Sequence, residues 1–155
     1  EVAATDARVE KDGVALRLDY RAPWDGRALF GFLHARAIPG VEEVAGDTYR
    51  RTVRIDKQSG WLEVRRDAKR DAVIARVSLP LVGSLMEIAS RLRALLDLDA
   101  LPEPIAKHLG RDRVLAASLR RHPGLRVPGA FDGFEIAVRA ILGQQVTVRV
   151  DPILS

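Results

Sequence analysis

The sequence predicts an α+β fold, with an antiparallel sheet carrying helices on one face over residues 1–100 and the opening of an all-α unit over 101–155. Three observations predict it. Runs of strict two-residue alternation recur before residue 80, each ended by a turn signal. Two stretches with helical spacing accompany those runs. From Pro102 onward the pattern changes to short helical pieces punctuated by Pro104, Gly110, Pro123, Gly124, Pro128 and Gly129.

The elements follow in order. Val14, Leu16, Leu18 and Tyr20 alternate with Ala15, Arg17, Asp19 and Arg21, which predicts a strand with one buried face. Asp25, after Pro23 and Trp24, stands where an N-cap belongs and opens a helix to about Ile38, which Pro39-Gly40 ends. Three strand-like runs come next, at Tyr49–Ile55, Trp61–Arg66 and Val73–Leu79. Residues 57–60 and 67–71 separate them and are short enough for hairpin loops. Val53, Ile55, Leu62, Val64, Val73, Ala75 and Val77 take the buried face, and Arg54, Arg65 and Arg76 the wet one. Ser84 with Glu87 gives a capping-box pattern for a second helix, whose Ile88, Leu92, Leu95 and Leu96 would cover the sheet. A final amphipathic helix is expected from about Phe131 towards Val148, with Phe134, Val138, Ile141 and Leu142 on its apolar stripe. Asp151 before Pro152 is pushed away from helical geometry. The last stripe needs partners, so the chain reads as a fragment or as a protein completed by another chain.

The 155 residues are 47% apolar and 30% charged, the balance of a globular protein. No apolar run reaches the length of a membrane span. The mixed charges of Glu1 to Glu10 resemble neither a signal peptide nor a transit peptide, so no membrane partner and a cytoplasmic location are expected. The absence of cysteine removes disulfides, iron–sulfur clusters and thiol catalysis from this chain. His34, His108 and His122 lack ligand spacing, so no metal and no cofactor is expected. Residues 1–101 hold 17 Lys and Arg against 16 Asp and Glu, whereas residues 102–155 hold 8 against 5. The basic run Lys107, Arg111, Arg113, Arg120, Arg121 and Arg126 is interrupted only by Asp112, which makes nucleic acid a plausible partner and Arg120, Arg121 and Arg126 candidate phosphate contacts. Glu42-Glu43 reads as a solvated loop, because adjacent side chains point apart. No nucleophile elbow or Gly-rich phosphate loop is present.

Two segments are more specific. One is Pro23-Trp24-Asp25 followed by Leu29-Phe30-Gly31-Phe32-Leu33-His34-Ala35-Arg36-Ala37-Ile38. The other runs from Leu125-Arg126-Val127-Pro128-Gly129 through Phe131-Asp132-Gly133-Phe134-Glu135 to Val138-Arg139-Ala140-Ile141-Leu142-Gly143-Gln144-Gln145-Val146. Both, with the Ala37–Glu42 turn and the His122–Arg126 run between them, resemble AlkA-type DNA-3-methyladenine glycosylases over about residues 14–147.

That resemblance implies an N-terminal domain like the TATA-binding protein, then the first part of a helix-hairpin-helix glycosylase domain. It implies base-excision repair of alkylated double-stranded DNA, in which a base is flipped out and its N-glycosidic bond hydrolysed. The chemistry asks for a carboxylate beside an oxocarbenium-like sugar and an aromatic pocket for an electron-poor base. No segment here resembles the hairpin that precedes the family's catalytic aspartate, so no catalytic residue is assigned and the chain alone is expected to be inactive. By the same resemblance Phe32 borders the base pocket, an off-stripe aromatic that needs a second surface. Gln144 and Gln145 match the minor-groove wedge, where some members have leucine at the position of Gln145. Two other readings stay open at this point. One is a DNA-binding or regulatory module of an alkylation-response fusion with methyltransferase or helix-turn-helix segments. The other is a scaffold that oligomerises over its last helix.

Overall fold

The computed structural model describes residues 5–145, with the side chains of residues 6–143. Six strands form one antiparallel sheet: β1 Thr5–Glu10, β2 Gly13–Asp19, β3 Glu42–Ala45, β4 Thr48–Ile55, β5 Gln58–Arg66 and β6 Ala72–Ser78. Their order across the sheet is β1-β2-β6-β5-β4-β3. Residues Tyr49, Val53 and Ile55 of β4, Leu62 and Val64 of β5, and Val73, Ala75 and Val77 of β6 are buried, as their alternation predicts. They share one core with Leu29, Phe30 and Leu33 of helix α1 (Gly26–His34) and Ile88, Leu92 and Leu95 of helix α2 (Leu85–Leu95). The opposite face is wet. There Glu43, Arg50, Glu63 and Arg76 lie in one row across four strands. Arg50 bonds Glu63 at 2.7 Å, and Arg76 bonds Glu10 at 2.8 Å.

Several boundaries differ from the sequence reading. β1 and β3 are strands that the alternation did not single out. β1 lies at the sheet edge and buries none of its described side chains; its Val9 is 80% exposed. Helix α1 closes at His34, not Ile38, and Asp25 caps it by accepting from the Ala28 N–H at 3.0 Å. Ser84 does not make the expected capping box: a 3-10 turn over Leu79–Ser84 leads into α2, and its side chain accepts no cap bond. The hairpin between β4 and β5 is tighter than read, with Asp56-Lys57 as its two-residue loop and Asp56 at φ 52°.

Beyond α2 the chain forms α3 (Pro102–Leu109), α4 (Arg113–Arg121) and α5 (Gly133–Gln145). Asp112 caps α4, accepting from the N–H groups of Val114 and Leu115. No residue of α3 or α4 is buried. The expected continuation of the last helix towards Val148, and the break at Asp151-Pro152, lie outside the described residues.

Residues 123–132 act as a strap that binds this helical segment back to the sheet unit. The Gly124 carbonyl accepts from the Asp25 N–H at 2.8 Å, the Gly129 N–H donates to the Leu95 carbonyl at 3.2 Å, and Phe131 enters the core. Gly124 has φ 83°, and a Cβ there would stand 2.8 Å from the Trp24 nitrogen. Both the conformation and the close approach demand glycine. Gly124→Ala is therefore expected to lower stability by about 2 kcal/mol. A urea midpoint unchanged from the parent chain would refute that expectation.

Candidate functional site

The strap and α5 meet the end of α1 and the β3–β4 edge around a cavity of about 300 Å³. Phe32 lies on its rim. Helix α1 buries Leu29, Phe30 and Leu33 against the sheet, so Phe32 is turned out of the core and is 40% exposed. Arg36, one turn later, lays its guanidinium over the ring at 3.8 Å from the centroid. Phe131 closes the other side, buried, with Arg51 at 4.4 Å from its ring centroid and Arg91 at 5.5 Å.

Four side chains of alternating charge close a ring along one side of this cavity. Arg51 donates to Glu135 at 2.8 Å, and Arg139 donates to Glu135 at 3.0 Å. Arg139 also donates to Glu42, whose other carboxylate oxygen lies 3.7 Å from Arg51. Glu42 and Arg51 are opposite one another in the β3–β4 register and point inward. Glu135 and Arg139 are four apart on α5 and share a face. The Glu42 carboxylate also accepts from the Tyr49 hydroxyl at 2.7 Å and the Ile38 N–H at 3.2 Å.

These bonds set the charge states. Burial raises the Glu42 carboxyl, but the bonds from Tyr49, Arg139 and the Ile38 N–H outweigh it and hold its pKa below the usual carboxylate range. Burial pushes the Tyr49 phenol up. Burial lowers the Arg51 and Arg139 guanidiniums, yet their anionic partners more than compensate and keep both charged. The rim thus offers an aromatic face held beneath a cation, above an ionised but internally neutral base.

The residues singled out in the sequence fall in different places. Phe32 borders the cavity. Arg120 and Arg121 are exposed at the end of α4, about which the chain is basic. Arg126 is a correction: it is only 7% exposed and does not face solvent as a phosphate contact would. Its guanidinium donates to the carbonyls of Asp97 at 3.2 Å, Arg21 at 2.5 Å and Pro23 at 2.9 Å. Burial lowers its pKa from the ordinary arginine value. The backbone of Gln144 and Gln145 ends α5, whereas their side chains lie outside the described ones. Glu42 is a further correction, since it lies in a strand and faces inward rather than in a solvated loop. Among the described residues no cluster of metal-ligating side chains occurs, and no helix is long and apolar enough to cross a membrane.

The model of the AlkA N-terminal domain matches residues 15–132.

The chain belongs to the AlkA N-terminal domain family.

Among similar proteins, the "Probable bifunctional transcriptional activator/DNA repair enzyme AlkA" of Mycobacterium tuberculosis is 43% identical over 136 residues, which is 88% of this chain and 27% of that protein. DNA-3-methyladenine glycosylase 2 of Escherichia coli is 37% identical over 133 residues, 86% of this chain and 45% of that protein. The chain therefore spans less than half the length of these relatives. A 3-methyladenine DNA glycosylase from Archaeoglobus fulgidus has the same fold over 84% of this chain and 45% of its own, with a TM-score of 0.73 at 18% identity. The α+β class predicted from the alternation and helical spacing is the observed one.

Sequence reasoning missed Arg36, Glu42, Arg51, Glu135 and Arg139 as members of one site. A signal for the last pair existed, because an acid and a base four apart interrupt an otherwise apolar helix. Arg51 has inward parity with Tyr49 and Val53, a position where a charge must find partners.

Proposed function

We propose that this chain is the N-terminal part of a DNA glycosylase that removes alkylated bases from double-stranded DNA, and that it supplies one wall of the base pocket without the catalytic carboxylate. The observation that carries the reading is Phe32, an aromatic kept out of the core at the mouth of a cavity between α1 and α5. An electron-poor alkylated base favours such a π-face. The names of the Escherichia coli and Mycobacterium tuberculosis relatives support the same activity. In this reading residues 1–100 form the sheet unit, residues 101–155 open the helical glycosylase domain, and the protein acts in the cytoplasm. The exposed apolar side chains Phe134, Ile141 and Leu142 of α5 are then covered by helices of that domain. Base release from methylated duplex DNA tests this, comparing the 155-residue chain with the product of the parent gene. Release by the parent alone is expected. No release by either would reject the reading, and release by the short chain would mean that it holds its own carboxylate.

A regulatory role within an alkylation-response fusion is the second reading. It is favoured by the bifunctional Mycobacterium tuberculosis relative, of which this chain matches 27%.

Two contacts follow from the first reading. Gln145 acts as the minor-groove wedge, aided by Gln144, so Gln145→Ala in the parent protein is expected to weaken binding to an abasic-site duplex about tenfold. Equal affinity at low salt would remove the assignment. Arg120 and Arg121 contact phosphates, so replacing both with alanine is expected to shallow the salt dependence of DNA affinity by a slope of roughly 2. An unaltered slope would place the phosphates elsewhere.

A further inference from the structure

The ionic ring joins parts of the chain 84 and 97 residues apart, yet it is poorly placed to be merely a source of stability. Charges removed from water gain little over apolar packing of the same volume, whereas their directional bonds fix geometry. Helix α5 shows why geometry matters. Its Phe134, Ile136, Ile141 and Leu142 are all exposed, so among the described residues its hold on the sheet unit is chiefly ionic. Arg139 is the hinge of that hold, since it bonds two acids and also donates to the Arg36 carbonyl at 2.8 Å. Arg36 is the residue whose guanidinium covers Phe32. In the other direction, Gln144 and Gln145 follow Arg139 by five and six residues, about 8–9 Å along the helix axis.

We propose that Glu42 and Arg139, through the ring they form with Arg51 and Glu135, are positioning residues that hold the Phe32 wall and the DNA-facing end of α5 in fixed register, so that opening the duplex and receiving the base occur at one alignment. The proposal rests on the glycosylase reading. A rigid link of this kind lets a helix seated in the groove present the pocket wall at the correct depth. Loss of the link leaves both surfaces intact but misaligned, and small misplacements of this sort lower rate far more than affinity.

The test uses the full-length parent protein and a duplex with a single alkylated base. Glu135→Gln, Arg139→Lys, the single variants Glu42→Gln and Arg139→Gln and the double variant Glu42→Gln/Arg139→Gln are compared by single-turnover base release and by affinity for undamaged duplex. Release per folded molecule is expected to fall on the order of tenfold to a hundredfold, with undamaged-duplex affinity within about twofold. The double variant should lose little more than its worse component, because both break the same ring. Should the neutral variants not fold, Arg139→Lys decides, as it keeps the charge but lacks the fork that serves two acids and a carbonyl. Unchanged release, or release and affinity falling in parallel, would overturn the proposal. Wild-type protein that releases no base would instead reject the glycosylase reading. The ring would then be judged by spin labels attached through Arg27→Cys and Ala137→Cys, both exposed positions within these 155 cysteine-free residues, with any cysteine elsewhere in the parent protein replaced. Arg139→Lys must broaden the interlabel distance distribution, and an unchanged distribution would overturn the proposal as well.

Discussion

Arg51→Ala is expected to destabilise the chain by about 3–5 kcal/mol. Arg51 is 7% exposed and is the only cation bridging the inward face of β4 to Glu135 in the described ring. Its removal leaves Glu42 and Glu135, buried to 7% and 23% exposure, sharing Arg139 alone. It also takes away the cation over Phe131 and opens a void beside that core ring. Most of the expected loss comes from the acids left short of a partner, and this gives the check. The double variant Arg51→Met/Glu135→Leu removes charge in a balanced way, leaving Glu42 with Arg139, and should be markedly more stable than Arg51→Ala. Denaturation curves in urea measure both. Equal losses in the two proteins would mean that the stability lies in the Arg51–Glu135 bond itself, and not in the cost of acids left short of a partner.

The second large effect is expected at Arg126. Arg126→Met should cost about 3 kcal/mol, because one guanidinium satisfies three backbone carbonyls in a buried place. Those carbonyls belong to Arg21 and Pro23 before α1 and to Asp97 after α2, so the side chain ties the strap to both helices. By contrast Arg120→Ala and Arg121→Ala should change stability by no more than about 0.5 kcal/mol, as exposed residues of α4. If Arg126→Met leaves the urea midpoint in place while altering the salt dependence of DNA affinity, the assignment of Arg126 to the fold is wrong.

These arginines illustrate which features the sequence reveals. Alternation read the inward faces of β4, β5 and β6 correctly, since burial of one face imposes a period of two and a single slip would expose the whole set. It failed at β1 and β3, which are edge strands with a single neighbour each and little apolar area to impose a pattern. Asp25 was legible as a cap because capping is local, and Ser84 was misread because it ends a 3-10 turn that runs directly into α2, leaving its side chain without a cap bond. Phe32 stood out through its place in the motif and its position off the apolar stripe. Charge was the least legible property. Arg120 and Arg126 look alike in a basic run, yet one lies in water and the other beneath three carbonyls from distant segments. Glu42 and Glu43 share a dipeptide and face opposite sides of the sheet. Such differences depend on contacts spanning most of the chain, which no local window contains.

The pairing of β2 with β6 also fixes the order of events as the chain is made. Residues 13–19 find their neighbours at 72–78, so the N-terminal hairpin has no seat until nearly sixty further residues have been synthesised. At roughly 5–20 residues per second that is an interval of about 3–12 s. During it, β3, β4 and β5 can pair as consecutive strands joined by short turns, while Leu16 and Leu18 remain without the surface that later buries them. The nascent chain therefore carries a sticky hairpin before its partner strand exists, and the meander that follows is the template on which that hairpin must land.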